Sequence, residues 1–391
     1  MSIEDLNSVD WALLGALVVL FIAQVWFYAR YMAAPARKMR RNKKSSIVNR
    51  PVVNHSGVSV ILTAHNEAYN LSQHLQVLLK QDYPEYEVIV VDDGSEDDTR
   101  AVIDRYMAHD PRLRMTFVPY GARVRSTKKL ALTLAAKAAK YEYLLLSEAD
   151  CVPESAHWIS TMMSGFAAEK NIVLGFSAYF EGEGHVNRIA RYESLFNNLH
   201  FLGAALCGYP YIGSGHNLAY RKSLFFESGG FTHLMTTKAG DDELFVNHLA
   251  TRNNTAVVLN REAFTWSQTK ITMKDWLLQR RRHLSVAPEY KQSTKLRLAL
   301  EPVTRGLFYA MVIGMAVVYL PLSLSALSIP FLAAIGLFLV RWVLQSAILN
   351  VSARRMGLKR FKMGSVLWFD IVLPIISLYM LIVPQRNRNK W

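Results

Sequence analysis

Cysteine is scarce in this chain: Cys151 and Cys207 are the two among 391 residues. Two thiols build neither a disulfide framework nor a Cys-rich zinc site, and a reducing, cytoplasmic setting suits them. Charge is thin as well, at 19% Asp, Glu, Lys and Arg, with a mean hydropathy of +0.10. That balance argues against a wholly soluble enzyme and for apolar segments in a membrane. Acidic residues are the rarer sign, 31 against 45 Lys and Arg, for a net charge of +14. Internal repeats and low-complexity tracts are missing, which excludes a solenoid or a fibrous chain. A basic excess suits nucleic acid or an anionic membrane. Here the basic clusters lie beside apolar stretches, so they read as positive-inside flanks and lipid contacts, with no nucleic-acid partner.

The apolar excess sits at the two ends. Met1–Asp10 carries Glu4, Asp5 and Asp10 and no Lys or Arg, and Trp11–Ala29 is then apolar apart from Gln24, long enough to cross a bilayer. Arg37, Lys38, Arg40, Arg41, Lys43 and Lys44 follow. A cleaved signal peptide has a basic start and a shorter apolar core. The expectation is therefore a retained anchor over residues 1–34, with the domain behind it on the cytoplasmic side of the inner membrane. Toward the other end, Gly306–Leu324, Ser328–Val351 and Ser365–Val383 are apolar, and Arg354, Arg355, Lys359, Arg360 and Lys362 form a basic loop between the last two. C-terminal transmembrane segments are expected over 303–385. Four spans would put Arg386, Arg388 and Lys390 outside, against the charge rule, so a re-entrant or oblique last segment is the alternative. Asp370 lies within that segment, where a carboxylate is costly. It reads either as a functional group or as the partner of a neighbouring helix or basic loop.

Between the ends, over 50–270, the pattern alternates. Val58–Thr63 and Tyr86–Val91 are apolar, strand-like runs, and Met115–Val118 and Tyr141–Leu146 follow as further strands. Helical spacing marks Asn70–Lys80, Glu96–Met107 and Ser126–Lys140. Strand alternating with helix predicts an α/β fold with a mainly parallel central sheet, whose ligands sit beyond the carboxyl ends of the strands. Three such ends are acidic or polar: Asn66-Glu67, Asp92-Asp93 and, in LLLSEADCVP, Glu148 and Asp150. The last pair is one residue apart, so a strand exit presents both to one ligand. A divalent cation shared with a phosphate would satisfy them; an ordinary acidic turn is the plainer reading. Asp92 equally suits a helix cap, Glu67 a helix N-terminal charge, and Lys128 with Lys129 a solvated face.

Farther on, Ile172–Phe180 reads as one strand and Ile189–Cys207 as a helix. Tyr211–Tyr220 is a glycine-loosened loop holding Gly215, His216 and Asn217, and Gly240-Asp241-Asp242-Glu243 is a second acidic station. His216 reads as a loop or acceptor-wall residue rather than a metal ligand, and Asp241 as shaping the loop around Asp242. Residues 271–302 suit interfacial amphipathic helices. On the first of these, Gln279 and Arg282 share a face, while Arg280 and Arg281 read as lipid-headgroup contacts.

The ordered set resembles the family 2 glycosyltransferases, membrane-embedded enzymes with a nucleotide-diphospho-sugar-binding GT-A domain. It comprises His65-Asn66-Glu67, Val91-Asp92-Asp93-Gly94-Ser95, Lys128 with Ala131-Leu132, Glu148-Ala149-Asp150, Gly213-Ser214-Gly215-His216-Asn217, Gly240-Asp241-Asp242, and Gln279 with Arg282. The match runs roughly from Val58 to His283. The resemblance implies a UDP-sugar donor whose nucleoside meets Glu67 and Asp93. It implies a diphosphate near Lys128 and Glu148, and Mg2+ or Mn2+ on Asp150. Asp242 becomes the base that accepts the attacking hydroxyl's proton, Gln279 and Arg282 support the leaving group, and Gly215, Asn217, Asp241 and His283 line the acceptor side. Two departures stand out: Glu148 replaces the commoner Asp, and His283 replaces the Trp that usually follows Arg282. The missing Trp weakens the case for a growing polysaccharide acceptor.

The leading expectation is an inverting transferase acting on a membrane-associated hydroxyl, a lipid or lipid-linked glycan. A processive polysaccharide synthase coupled to export is the alternative. A catalytically inactive nucleotide-binding scaffold is the reading from another class.

Overall fold

The structure is a computed structural model that describes residues 6–45, 56–119, 124, 126–166, 169–234, 237, 239–323 and 328–383. Glu4, Asp5, Leu327, Arg386, Arg388 and Lys390 lie outside the described residues. The chain divides into two compact units, Met1–Ala34 with Gln292–Trp391, and Pro35–Lys291.

In the second unit the elements run α2 Ala34–Ser45, β1 Val58–Ala64, α3 Ala68–Leu79, β2 Tyr86–Asp92, α4 Thr99–Met107, β3 Leu113–Phe117, α5 Thr127–Ala138, β4 Tyr143–Glu148, β5 Cys151–Pro153, α6 Trp158–Met163, β6 Ile172–Leu174, β7 Ser177–Tyr179, α7 Gly184–Leu206, β8 Leu218–Arg221, α8 Lys222–Glu227, α9 Asp241–Leu249, β9 Thr255–Val257, β10 Thr265–Ser267 and α10 Met273–Leu284. Seven strands form one sheet in the order β3-β2-β1-β4-β8-β6-β9. The pairs among β3, β2, β1 and β4 are parallel, and β8 is antiparallel to both β4 and β6. Central strands covered on both faces need no polar side, which is why β2 is buried along its whole length and β1 nearly so. Val60, Leu62, Val88, Val90 and Leu145 pack with Leu71 and Leu75 of α3 in the main core. Each such side chain contributes about 1.5–3 kcal/mol on burial.

Register carries this core to the site. Ala64 of β1 lies beside Asp92 of β2, and Thr63 beside Glu148 of β4. The carboxyl ends of three strands therefore finish level, each releasing its polar residues at the same edge.

A second, three-stranded sheet has the order β5-β10-β7. The expected single strand Ile172–Phe180 is thus two strands in two sheets, and Gly175 is the cause. Its N–H donates to the Asn217 carbonyl at 2.9 Å, and an added Cβ would meet the Asn217 amide at 2.4 Å. The chain turns there, and β7 pairs with β10 so that Tyr179 lies beside Ser267, itself opposite Cys151.

The first unit consists of α1 Ser8–Phe27 with a π-helical turn Tyr28–Met32, α11 Gln292–Ser323, α12 Ile329–Arg355 and α13 Met363–Ile382. Among the described residues, four helices, counted with α2 as part of the first, are long and apolar enough to cross a membrane. Leu17, Phe308, Val312, Met315, Tyr319 and Ala334 form the apolar core of this unit. Asp370 is fully buried there and accepts hydrogen bonds from Arg305 (2.8 Å), Arg341 (3.0 Å), Tyr309 (2.5 Å) and Gln345 (2.8 Å). Arg341 also donates to Gln24 of α1 at 2.9 Å. Of the two readings of Asp370, the structure shows the pairing one, with neighbouring helices as its partners.

Candidate active site

The site is assembled at the level strand ends. After β1, Glu67 precedes α3 and its carboxylate accepts from Asn70 at 2.6 Å. Burial pushes its pKa up, and Asp150 and Glu148 lie close enough to add to that rise. After β2, Asp92 accepts the Ser95 N–H at 2.9 Å and shapes the turn. Asp93 turns the other way and accepts from Thr127 at 2.7 Å. Burial raises Asp93 too, against the hydrogen bond from Thr127 and the nearby His65.

After β4, Glu148 accepts from the Lys128 ammonium at 2.7 Å, and its other oxygen lies 3.3 Å from His216 Nε2. Burial alone would raise Glu148, yet Lys128 and His216 hold it well below the usual carboxylate range. Burial would lower His216, but Glu148 beside it carries it up to about 9. Lys128 also reaches Asp241 at 3.3 Å. One ammonium thus ties the end of a strand to the start of α9.

Asp150 lies in the turn between β4 and β5, and among the described residues its contact is the Cys151 thiol at 3.4 Å. Asp150, Cys151 and His216 place ligand atoms within 4.8 Å of one another. Burial pushes the Cys151 thiol well up, and a protonated sulfur suits a hard cation poorly. Asp150, completed by oxygens of a diphosphate and water, fits a divalent cation, and His216, which Glu148 holds protonated, can join it as a ligand only on losing that proton. Mg2+ and Mn2+ both accept such a mostly oxygen set. His216, read from the sequence as a wall residue, stands within this group.

Asp242 opens α9 with Asp241 and Glu243. Its carboxylate accepts the Gly215 N–H, and its other oxygen accepts the Glu243 N–H at 2.9 Å. A Cβ on Gly215 would sit 3.1 Å from Asp242 Oδ2, so glycine is what permits this approach. Burial, then the like charge of Asp241, raises Asp242 to about 6, with Lys128 pulling the other way. A partly buried carboxylate near 6 is suited to taking a proton at neutral pH. His283 Nδ1 lies 2.7 Å from Glu243, and Tyr290 donates to the same carboxylate at 2.6 Å. Gln279 donates to Tyr179 at 3.4 Å. Arg282 follows on α10, one helical turn from Gln279.

The structure therefore brings Glu67, Asp93, Lys128, Glu148, Asp150, Gly215, Asp241 and Asp242 into one linked cluster. Asn217 is different. It is fully buried, its carbonyl accepting from Trp158 at 3.1 Å and its amide donating to Phe176 O and Ala263 O at 2.9 and 2.7 Å. Its hydrogen-bonding groups are committed to the protein, so the expectation that it lines the acceptor side is corrected to a structural one. Arg280 likewise turns inward, pairing with Glu193 and lying 5.6 Å over the Trp276 ring. The helical phase puts it on the buried face of α10, not toward lipid. Tyr179, missed in the sequence, has its pKa pushed up to about 12 by burial, with Asp150 and Glu148 adding to it. Its signal was a strand ending in an aromatic hydroxyl. Thr127 was missed too, and Lys129, read with Lys128 as a solvated face, is instead fully buried because backbone oxygens of Leu234, Thr237 and Ala239 take its ammonium.

A mainly parallel sheet whose carboxyl ends gather the acidic cluster is the fold of the GT-A class of nucleotide-sugar transferases. A family model described as "Glycosyl transferase family 2" matches residues 59–228, and one described as "Glycosyl transferase family group 2" matches 148–382, more than half of the chain. The chain belongs to the family 2 glycosyltransferases. Among curated relatives, a chondroitin synthase of Escherichia coli is 27% identical over 225 residues, 48% of this chain and 31% of that protein. A poly-beta-1,6-N-acetyl-D-glucosamine synthase of Staphylococcus epidermidis is 33% identical over 96 residues, 25% of this chain and 22% of that one. The chain thus matches less than a third of either relative's length. Among solved structures, the mannosyltransferase PcManGT from Pyrobaculum calidifontis in complex with GDP-Man and Mn2+ is similar in fold. It has a TM-score of 0.52 and 19% identity over 91% of this chain and 99% of that one.

Proposed function

We propose that the protein moves a sugar, with inversion, from a UDP-sugar to a hydroxyl carried by a membrane-associated acceptor, a lipid or lipid-linked glycan, at the cytoplasmic face of the inner membrane. The observation that carries this reading is Asp242, raised to about 6 and linked through Asp241 and Lys128 to the strand-end carboxylates. The soluble domain is taken as residues 50–270 and the interfacial helices as 271–302.

In this mechanism Glu67 and Asp93 orient the nucleoside. Lys128 sets positive charge where the diphosphate lies and holds Glu148 in place, and Arg282 with Gln279 faces the departing phosphate. Asp150, with His216 beside it, would hold Mg2+ or Mn2+, which when bound neutralises charge on the diphosphate as a Lewis acid. Asp242 accepts the hydroxyl proton as that oxygen approaches the anomeric carbon, through an oxocarbenium-like state. Gly215 holds the carboxylate on line for that transfer, and Asp241 and His283 border the acceptor. An acceptor needing a base is a hydroxyl rather than an already anionic phosphate, and four apolar helices in the same chain favour one drawn from the membrane.

A second reading, a processive polysaccharide synthase, is favoured by the names of the two curated relatives. Full-length protein, given a radiolabelled panel of UDP- and GDP-sugars with native lipid extract, separates them. A small chloroform-soluble product supports the first and a large water-soluble polymer the second. Asp242→Asn should retain UDP binding and lose turnover by about 100-fold or more. Normal turnover in that variant would sink both.

A further inference from the structure

Lys129 is fully buried at the first turn of α5. Buried lysines are costly and are ordinarily matched by a carboxylate. Here the ammonium instead meets the oxygens of one short segment: Leu234 O at 2.7 Å, Thr237 O at 2.8 Å, Thr237 Oγ1 at 2.5 Å and Ala239 O at 2.9 Å. An ammonium has three protons and no acceptor, so it gathers these oxygens as a small cation would. The gripped segment runs directly into Gly240, whose φ of +82° turns the chain into Asp241 and Asp242. A Cβ on Gly240 would meet Val286 at 2.6 Å, so the turn is confined on its other side.

The neighbouring lysine acts on the same target from the cleft, with Lys128 reaching Asp241 at 3.3 Å. Consecutive residues on a helix point about 100° apart. One turn of α5 therefore holds the start of α9 from within the site and from behind it. We propose that Lys129 is a positioning residue for sugar transfer, its grip on Leu234, Thr237 and Ala239 setting where Asp242 stands relative to Gly215 and Lys128. This rests on Asp242 being the base. A purely structural lysine would affect how much protein folds; a positioning one affects turnover per folded molecule.

The test uses full-length protein in lipid nanodiscs and the best-used donor from the UDP- and GDP-sugar panel, with rates divided by folded protein. Lys129→Met should lower kcat about 100-fold, the loss expected from a displacement on the order of 1 Å at a reacting group, with donor KM within about three-fold of the parent. Lys129→Ala leaves room for an external ammonium, and propylammonium should restore at least about ten-fold of the lost kcat. Should Lys129→Met not fold, Thr237→Val removes one oxygen of the grip and should still lower kcat about five-fold. A kcat within about two-fold of the parent in the folded variant, or a loss that propylammonium leaves untouched, overturns the inference. Asp242→Asn in the same assay keeps the two readings apart. If it turns over normally, the base assignment has failed; if it is dead while Lys129→Met is active, only the positioning role has.

Discussion

Gly215→Ala tests how Asp242 is tuned. The backbone at Gly215 is not left-handed, so alanine is conformationally allowed; its cost is the new Cβ, 3.1 Å from Asp242 Oδ2. That is a few tenths of an ångström too close, and the carboxylate must retreat from the N–H that it accepts. A hydrogen bond to a charged group contributes about 1.5–3 kcal/mol. Losing roughly two thirds of the smaller figure, or a third of the larger, is about 1 kcal/mol, or about 0.7 of a pKa unit upward. The sign follows from the bond itself, since the N–H favours the charged form and its weakening favours the neutral one. In the parent, Asp242 near 6 must be ionised to act, so the rate should be flat above that pH and fall about ten-fold per unit well below it. In the variant the ionised fraction at pH 6 drops from about one half to about one sixth, while at pH 8 it barely changes. The ratio of kcat at pH 8 to kcat at pH 6 should therefore rise from about 2 to about 6. A folded variant with the parent's ratio and an unmoved acidic limb would refute the account of Asp242.

Asn217→Ala should lower the melting temperature, by an amount equivalent to about 2–4 kcal/mol for the buried groups it leaves unpaired. Acceptor KM of the folded protein should be unchanged; a selective rise in acceptor KM would return Asn217 to the site. In the first unit, Asp370→Leu strips the partner from two buried arginines. It should destabilise the protein in detergent by about 3–5 kcal/mol, read by thermal unfolding, and a melting temperature equal to the parent's would show that Arg305 and Arg341 find other partners.

The parallel core was legible because strands buried on both faces are nearly unbroken apolar runs, and the acids at their ends interrupt those runs where the sheet stops. That is why Glu67, Asp93 and Glu148 were picked out while Tyr179 was not: an aromatic at a strand end reads like any other β-forming residue. The strand Ile172–Phe180 was misjudged because its break sits at Gly175, where the N–H bonds the Asn217 carbonyl and the Asn217 side chain leaves no room for a Cβ, a relation between positions far apart in sequence. Arg280 was misjudged for a related reason. Three consecutive arginines look like one basic patch, but a helix points them in three directions, and Glu193 on α7 takes the inward one.

What the sequence conceals most completely is coupling. Ser126 caps α5 through the Lys129 N–H at 3.4 Å, Thr127 donates to Asp93, Lys128 joins Glu148 to Asp241, and Lys129 grips Leu234, Thr237 and Ala239. Read along the chain, these four residues are an ordinary helix start with two solvated lysines. In the fold each faces a different partner, because successive side chains leave a helix at about 100° intervals. A single turn can therefore touch Asp93, Glu148, Asp241 and the backbone at Ala239 just before Gly240 at once. If the roles assigned to those partners hold, a shift of this turn cannot alter donor binding without also moving Asp242. Donor binding and placement of the base then share α5 as a support, with the Lys129 grip serving the base alone, and the short polar stretch before its apolar face is where the two meet.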